Sequence, residues 1–205
     1  MLLRRQVLAG SDDARRRNMG ASQWSTTTSN LHIGSVGGAS DQWGCALRFQ
    51  DIHIPQGATI SHAFLTVTTN LTFAQTVFRT RIKAQAIDDA PTFTDETEFL
   101  TRTWTTAVID WDDGQGWVVQ QKHTSPDIAA AIQEVVDRSG WQLGNALALY
   151  WNDDDDRSDA GARRAIYAYN GNPSKAAVLT VEYQTTIDVQ VIQSSDDVRL
   201  DSISQ

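Results

Sequence analysis

Along most of the chain apolar and polar residues alternate with period two, in short runs separated by turn residues. Cys45, Leu47 and Phe49 alternate with Ala46, Arg48 and Gln50, which predicts a half-buried strand. The alternation slips and resumes at Ile52 and Ile54, so a one-residue bulge is expected near Gln50 and Asp51. Pro55, Gln56 and Gly57 read as a turn. Ala63, Leu65, Val67 and Leu71 mark one face of the next strand. Phe78, Ile82, Ala84 and Ala86 mark another, with Arg79, Arg81 and Lys83 as a basic stripe on its solvated side. Further strands are predicted over 146–151, 164–169 and 177–183, between Asp- and Gly-rich turns. Residues 88–116 are less regular and predict a long connection with one or two short strands. One stretch has helical period: Ile128, Ala131, Ile132, Val135 and Val136 share a face. Ser125 is placed to cap that helix, Pro126 to open it and Gly140 to end it. This pattern predicts a mainly β, antiparallel sandwich with one short α-helix.

The chain also repeats its opening near its end. Residues 6–15 (QVLAGSDDAR) align without gaps on residues 190–199 (QVIQSSDDVR), with six of ten positions identical. The second copy lies beyond the last core strand. The division expected is an N-terminal strand and basic arm at 1–28, a sandwich at 29–184 and a C-terminal strand-like extension at 185–205. A strand without its own domain carries unpaired donors and acceptors that favour an exposed sheet edge. The alternative is a chance match between two short polar-flanked strands.

Charge sharpens this picture. Lys and Arg number 17 against 25 Asp and Glu, a net charge of −8, which argues against nucleic-acid binding. Yet Arg4, Arg5, Arg15, Arg16 and Arg17 crowd the start. A basic arm on an acidic body suits docking between copies of the chain, although a solvated arm has the same composition. The candidate assembly residues are these arginines with Val7, Val189, Val191, Ile192 and Val198. The lone Cys45 excludes an internal disulfide and reads as a buried small hydrophobe. No apolar run reaches the length of a membrane span, and the opening lacks a secretory apolar core. Synthesis in a cytoplasm without general export is the expectation.

Candidate chemistry is sparse. Asp153, Asp154, Asp155, Asp156 and Asp159 offer oxygens to calcium, or form a solvated acidic loop; the spacing is not that of an EF-hand. Asp12 and Asp13 are weaker candidates of the same kind, or turn formers. Of seven tryptophans, Trp141 and Trp151 are assigned to the core. Trp104, Trp111 and Trp117 lie in the irregular segment and are the surface candidates, for stacking on glycans or for a subunit interface. His32, His53, His62 and His123 do not form a zinc-ligand pattern, and no nucleophile motif or carboxylate pair marks an enzyme.

Between Leu47 and Tyr183 the sequence resembles the jelly-roll carbohydrate-binding-module-like domains related to the DNRLRE group. The resemblance rests on Leu47-Arg48-Phe49, Ile52 with Ile54-Pro55-Gln56-Gly57-Ala58-Thr59-Ile60, and Ala86-Ile87-Asp88-Asp89-Ala90-Pro91-Thr92-Phe93. It continues through Ser125-Pro126-Asp127-Ile128, Ile132-Gln133-Glu134-Val135-Val136, Gly140-Trp141, Gly144-Asn145-Ala146-Leu147 and Leu179-Thr180-Val181-Glu182-Tyr183. Val7, Ser11, Asp12 and Asp13 resemble the opening strand of such modules. The resemblance implies an antiparallel jelly-roll β-sandwich with extended terminal arms. It implies a structural protein on a phage virion surface, made in the host cytoplasm: a capsid decoration or fibre-like subunit. Its expected partners are copies of itself and a major capsid or tail protein. The alternative implied is a carbohydrate-binding module of a surface or secreted protein. These motifs are structural and support fold better than function.

Overall fold

The computed structural model describes residues 1–18, 23–37, 41–74, 77–153 and 157–185. In chain order the strands are β1 (Leu2–Gln6), β2 (Asp13–Asn18), β3 (Gln23–Ser25), β4 (Asn30–Ser35), β5 (Gln42–Phe49) and β6 (Thr59–Thr68), followed by β7 (Phe78–Gln85), β8 (Trp104–Asp113), β9 (Lys122–Thr124), β10 (Leu147–Asp153), β11 (Arg163–Tyr167) and β12 (Val178–Gln184). Among the described residues there are also two α-helices, α1 (Glu96–Leu100) and α2 (Ala129–Val136), and two short 3-10 turns. The smaller sheet has the order β1-β12-β6-β9. The larger has the order β11-β4-β5-β10-β7-β8, with β2 also paired to β5 and β3 beside β2. All these pairings are antiparallel. The antiparallel β-sandwich expected from the alternating pattern is therefore the architecture.

The core lies between the sheets, where Leu31, Ile33, Leu47, Phe49, Leu65, Val67, Ile82, Leu149, Leu179 and Val181 are all buried. Aromatic rings fill one end of it. Trp111 stacks on Trp151 with centroids 4.4 Å apart, and Trp117 packs against Phe78 and His123. The indole of Trp151 donates to Thr80 Oγ1 at 2.7 Å, and that hydroxyl donates to Trp111 O at 2.8 Å. The Trp151 indole and the Thr80 hydroxyl are thus satisfied locally, as burial requires.

The larger sheet also carries an apolar cluster on part of its outer face. Ala14, Ala46, Ala90, Ala146 and Ala148 form a second buried cluster with Phe93 and Phe99, flanked by Trp24, Trp104 and Tyr150. The segment after β7 covers it. Asp95 caps α1 by accepting from Glu98 N at 2.9 Å, which turns Phe99 onto the alanines. Alanine at the polar phase of β5 and β10 reflects this second cover.

Several local expectations change. Trp111 and Trp117, expected at the surface, are 4% and 0% exposed. Within the supposed loose connection runs the ten-residue β8, whose pleat turns Thr105 and Trp111 inward. No bulge follows β5: the strand ends at Phe49 and Asp51 takes a left-handed φ of 58°. Ile52 then re-enters by pairing through its backbone with Asn145 and Gly144. Leu71 lies past the end of β6 and is 43% exposed. The start of α2 is held differently from the expected Ser125 cap. Asp127 Oδ1 accepts from Ala129 N at 3.0 Å and from Ala63 N at 2.9 Å, while Ser125 Oγ accepts from Leu65 N at 2.9 Å. Both side chains fasten the helix entrance to β6. The helix closes at Asp137, three residues before Gly140, where Asp88 occupies the space a Cβ would need. A second helix, α1, stands where none was expected.

The stretch 1–28, expected as a strand and basic arm, enters both sheets: β1 in the smaller, β2 in the larger, with Leu3 and Val7 buried in the core. Val189, Val191, Ile192 and Val198, and with them Asp154, Asp155 and Asp156, lie outside the described residues.

Trp151→Ala removes a fully buried ring and its hydrogen bond to Thr80. The expected loss is about 3–5 kcal/mol, read as a lower midpoint in denaturant unfolding followed by far-ultraviolet circular dichroism.

Candidate functional site

Residues 6–15 pass from one sheet to the other, and five of the six residues that recur at 190–199 hold them through side chains, the exposed Ser11 through its backbone alone. The side chain of Gln6 donates to Ala176 O at 3.0 Å. Val7 N donates to Ala177 O at 3.0 Å, and its side chain enters the core. Ser11 O accepts from Phe93 N at 3.1 Å. Asp12 has no exposed surface; it accepts from Arg48 Nη1 at 2.6 Å and from Gln50 Nε2 at 2.5 Å. Asp13 accepts from Tyr169 N at 2.7 Å through Oδ2. Arg15 reaches Asn30 Oδ1 at 3.2 Å and lies over the Trp43 ring at 5.1 Å.

The register explains how polar residues come to sit inside. Asp13 pairs with Leu47, Arg15 with Cys45 and Arg17 with Trp43. Paired residues share a sheet face, so these three point toward the inner side of β5, while Ala14 lies on the outer cluster opposite Ala46. Arg17 escapes toward the rim and grips Asp41 with two bonds of 2.5 and 2.7 Å. Arg16, on the other face, meets Glu96 at 2.6 Å. Arg48 also donates to Ala90 O at 2.6 Å, tying the crossover to the cover of the second cluster.

Electrostatics follow from burial. Desolvation pushes the Asp13 carboxyl up to about 7; the Tyr169 N–H opposes the rise and the neighbouring Asp12 charge adds to it. Its Oδ1 is buried without a hydrogen-bond partner, which suits a protonated acid better than a carboxylate. Burial likewise lowers the Arg15 pKa. By contrast, Arg17 holds Asp41 below the usual carboxylate range.

Other candidate residues are dispersed. Arg4 is exposed, whereas Arg5 bonds Asp51 O at 2.7 Å and its carboxylate at 3.2 Å. Trp104 is half-buried, packed by Phe99 and Tyr150, with the Lys83 ammonium 5.4 Å from its ring. It does not meet Trp111 or Trp117, which belong to the core. Asp153 turns inward to accept from Gln42 Nε2 and Ser158 Oγ, while Asp159 is exposed. Among the described residues no group of three or more His, Cys, Asp or Glu is placed to hold a metal ion. No family model matches the chain, and no curated protein matches it.

Arg48, Gln50 and Tyr169, which receive the opening segment, were read only as strand residues, Arg48 also within the Leu47-Arg48-Phe49 match, and not as partners of that segment. Nothing in spacing links them to Asp12 and Asp13. The recurrence of the two aspartates, and the likeness of Val7, Ser11, Asp12 and Asp13 to an opening strand, pointed to the segment they hold.

Asp13 supplies a pH test. Its folded pKa exceeds its unfolded value of about 3.8, so between about 4 and about 7 the folded state holds the extra proton. Its contribution to stability is full below the lower value and falls as pH rises through the upper one. Asp13→Asn should gain stability relative to the parent at pH 8 over pH 5, measured as the difference between their melting temperatures. A constant difference across that range would contradict the assignment.

Proposed function

We propose that this chain is a structural assembly subunit, which joins copies of itself through its terminal segments. One observation carries the reading: of the six residues that recur at 190–199, five (Gln6, Val7, Asp12, Asp13 and Arg15) hold residues 6–15 in the sandwich through their side chains. The chain therefore carries the fastening residues of one seat twice. The smaller sheet also ends in β1, whose outer side has no paired strand among the described residues and whose Leu2 is 67% exposed. Strand addition at such an edge is a common route to association.

The setting we propose is the surface of a tailed-phage virion, as a capsid decoration or fibre-like subunit made in the host cytoplasm. A major capsid or tail protein would be the second partner. This part rests on the resemblance to phage members of the jelly-roll group. A second reading, glycan binding, is favoured by one observation: Trp104, Tyr150 and Lys83 cluster at partly exposed positions, and aromatic faces beside polar groups suit sugars.

Light scattering after size exclusion tests assembly. The full chain should self-associate with rising concentration, and deletion of residues 186–205 should leave a folded monomer. Unchanged association after deletion would overturn the role of the terminal segment. Glycan-array binding lost on Trp104→Ala would support the second reading, and absence of binding by the parent chain would remove it.

A further inference from the structure

We infer that residues 186–199 of one copy enter the seat that residues 2–15 occupy in a second copy, so that subunits join head to tail by strand exchange. The inference rests on the assembly reading above and names its acceptor. Extending the repeat with the same offset sets Ile187 on Leu3, a buried core residue, and sets Asp196 and Asp197 on Asp12 and Asp13. The apolar and acidic groups that the seat receives are therefore supplied again in the right order and spacing.

Geometry selects a second copy over the chain's own sandwich. In the opening register Tyr183 N donates to Met1 O at 3.0 Å, and Leu2 faces Glu182. With the offset of the repeat, residue 185 would take the place of Met1, opposite Tyr183. Only Gln184 would remain to reverse the chain. The shortest common hairpin loop has two residues, so the chain cannot turn back into its own seat in this register. A neighbouring copy imposes no such limit. A contact between one copy's end and another's start is heterologous, and it propagates into rings or filaments.

The second segment is a weaker fit than the first. Val198 would stand where Ala14 packs among Ala46, Ala90, Ala146 and Ala148. Ser194 would replace Gly10, where a Cβ comes within 2.6 Å of the Asn170 side chain, which must turn aside. Val189 and Leu200 would replace Arg5 and Arg16 and forfeit their pairs with Asp51 and Glu96. An isolated chain therefore closes on its own opening segment. Exchange gains ground where copies are concentrated.

The pairing of Arg15 with Cys45 provides the test. Residue 199 would take the place of Arg15, facing a thiol that is otherwise buried. In the full chain, Arg199→Cys under a mild oxidant should give disulfide-linked dimers and longer ladders on a non-reducing gel, with Cys45 and residue 199 identified by mass spectrometry. Val198→Cys, one residue out of register and on the other face, should not link. Adding Asp196→Ala and Asp197→Ala to the Arg199→Cys chain should cut the linked fraction by about tenfold or more, because hydrogen bonds to charged groups are lost. No link, a link only within monomers, or equal linking at residue 198 would overturn strand exchange into this seat. If light scattering still shows association that depends on 186–205, assembly stands and the contact lies elsewhere; if it does not, both readings fail.

Discussion

The ion pair between the buried Asp12 and the partly buried Arg48 fastens the crossing from one sheet to the other. β1 belongs to one sheet and β2 to the other, with only six residues between them. The chain must cross the gap between sheets there, and its polar backbone and side chains must be paid with partners inside the protein. Asp12 sits at the crossing with no exposed surface, and Arg48 with Gln50 meets both its oxygens. Burying a charge is tolerable only with such matching. Leaving Arg48 without Asp12 would cost more than the pair itself contributes, because a partly buried guanidinium would lose its counter-charge. The crossing is therefore a fixed point, and both the inner core and the outer alanine cluster are arranged around it.

That arrangement explains why the larger sheet is covered twice. Arg48 projects to the outer side of β5, where it also binds Ala90 O. The backbone that supplies Ala90 continues to Phe93, whose N–H meets Ser11 O. One guanidinium thus links the crossover to the segment that lays Phe93 and Phe99 on the alanines. Small residues on that face let the cover approach closely, and α1 gives Phe99 a rigid mount. Arg102 completes the cover, bonding Glu98, Gln85 and the backbone of Pro91 and Thr92. The second layer is held mainly by charge-assisted bonds to backbone, which are stronger than neutral ones.

How far this was legible in the sequence depends on the range of each interaction. Period-two alternation located β5, β6, β7 and β12, because one face of each is buried and the pattern is local. The helical stripe located α2 for the same reason, although its entrance is set by bonds from Asp127 and Ser125 to a strand some sixty residues earlier. Trp111 and Trp117 were misplaced because β8 lies at the edge of the larger sheet. Its outward residues are mixed in character, such as Val108 and Asp110, so the alternation is faint. The seat itself was illegible, since Arg48, Gln50 and Tyr169 come from distant parts of the chain. The recurrence of Asp12 and Asp13 at 196 and 197 was a local trace of it.

In the assembly we propose, the same features would set the balance between a closed subunit and a joined one. A segment that must supply a buried carboxylate, a near-neutral acid and an apolar anchor in fixed order is a demanding key, so few sequences satisfy it by chance. The acidic chain also repels its own copies at long range, which opposes association when copies are dilute. Asp13 then ties the seat to pH: its preference for the proton favours an occupied seat on the acidic side of about 7. Either segment that brings an aspartate to that position meets the same desolvation. In the proposed exchange, proton uptake would therefore strengthen occupancy of the seat without choosing its occupant, and the choice would fall to packing at Gly10 and Ala14, where the opening segment fits.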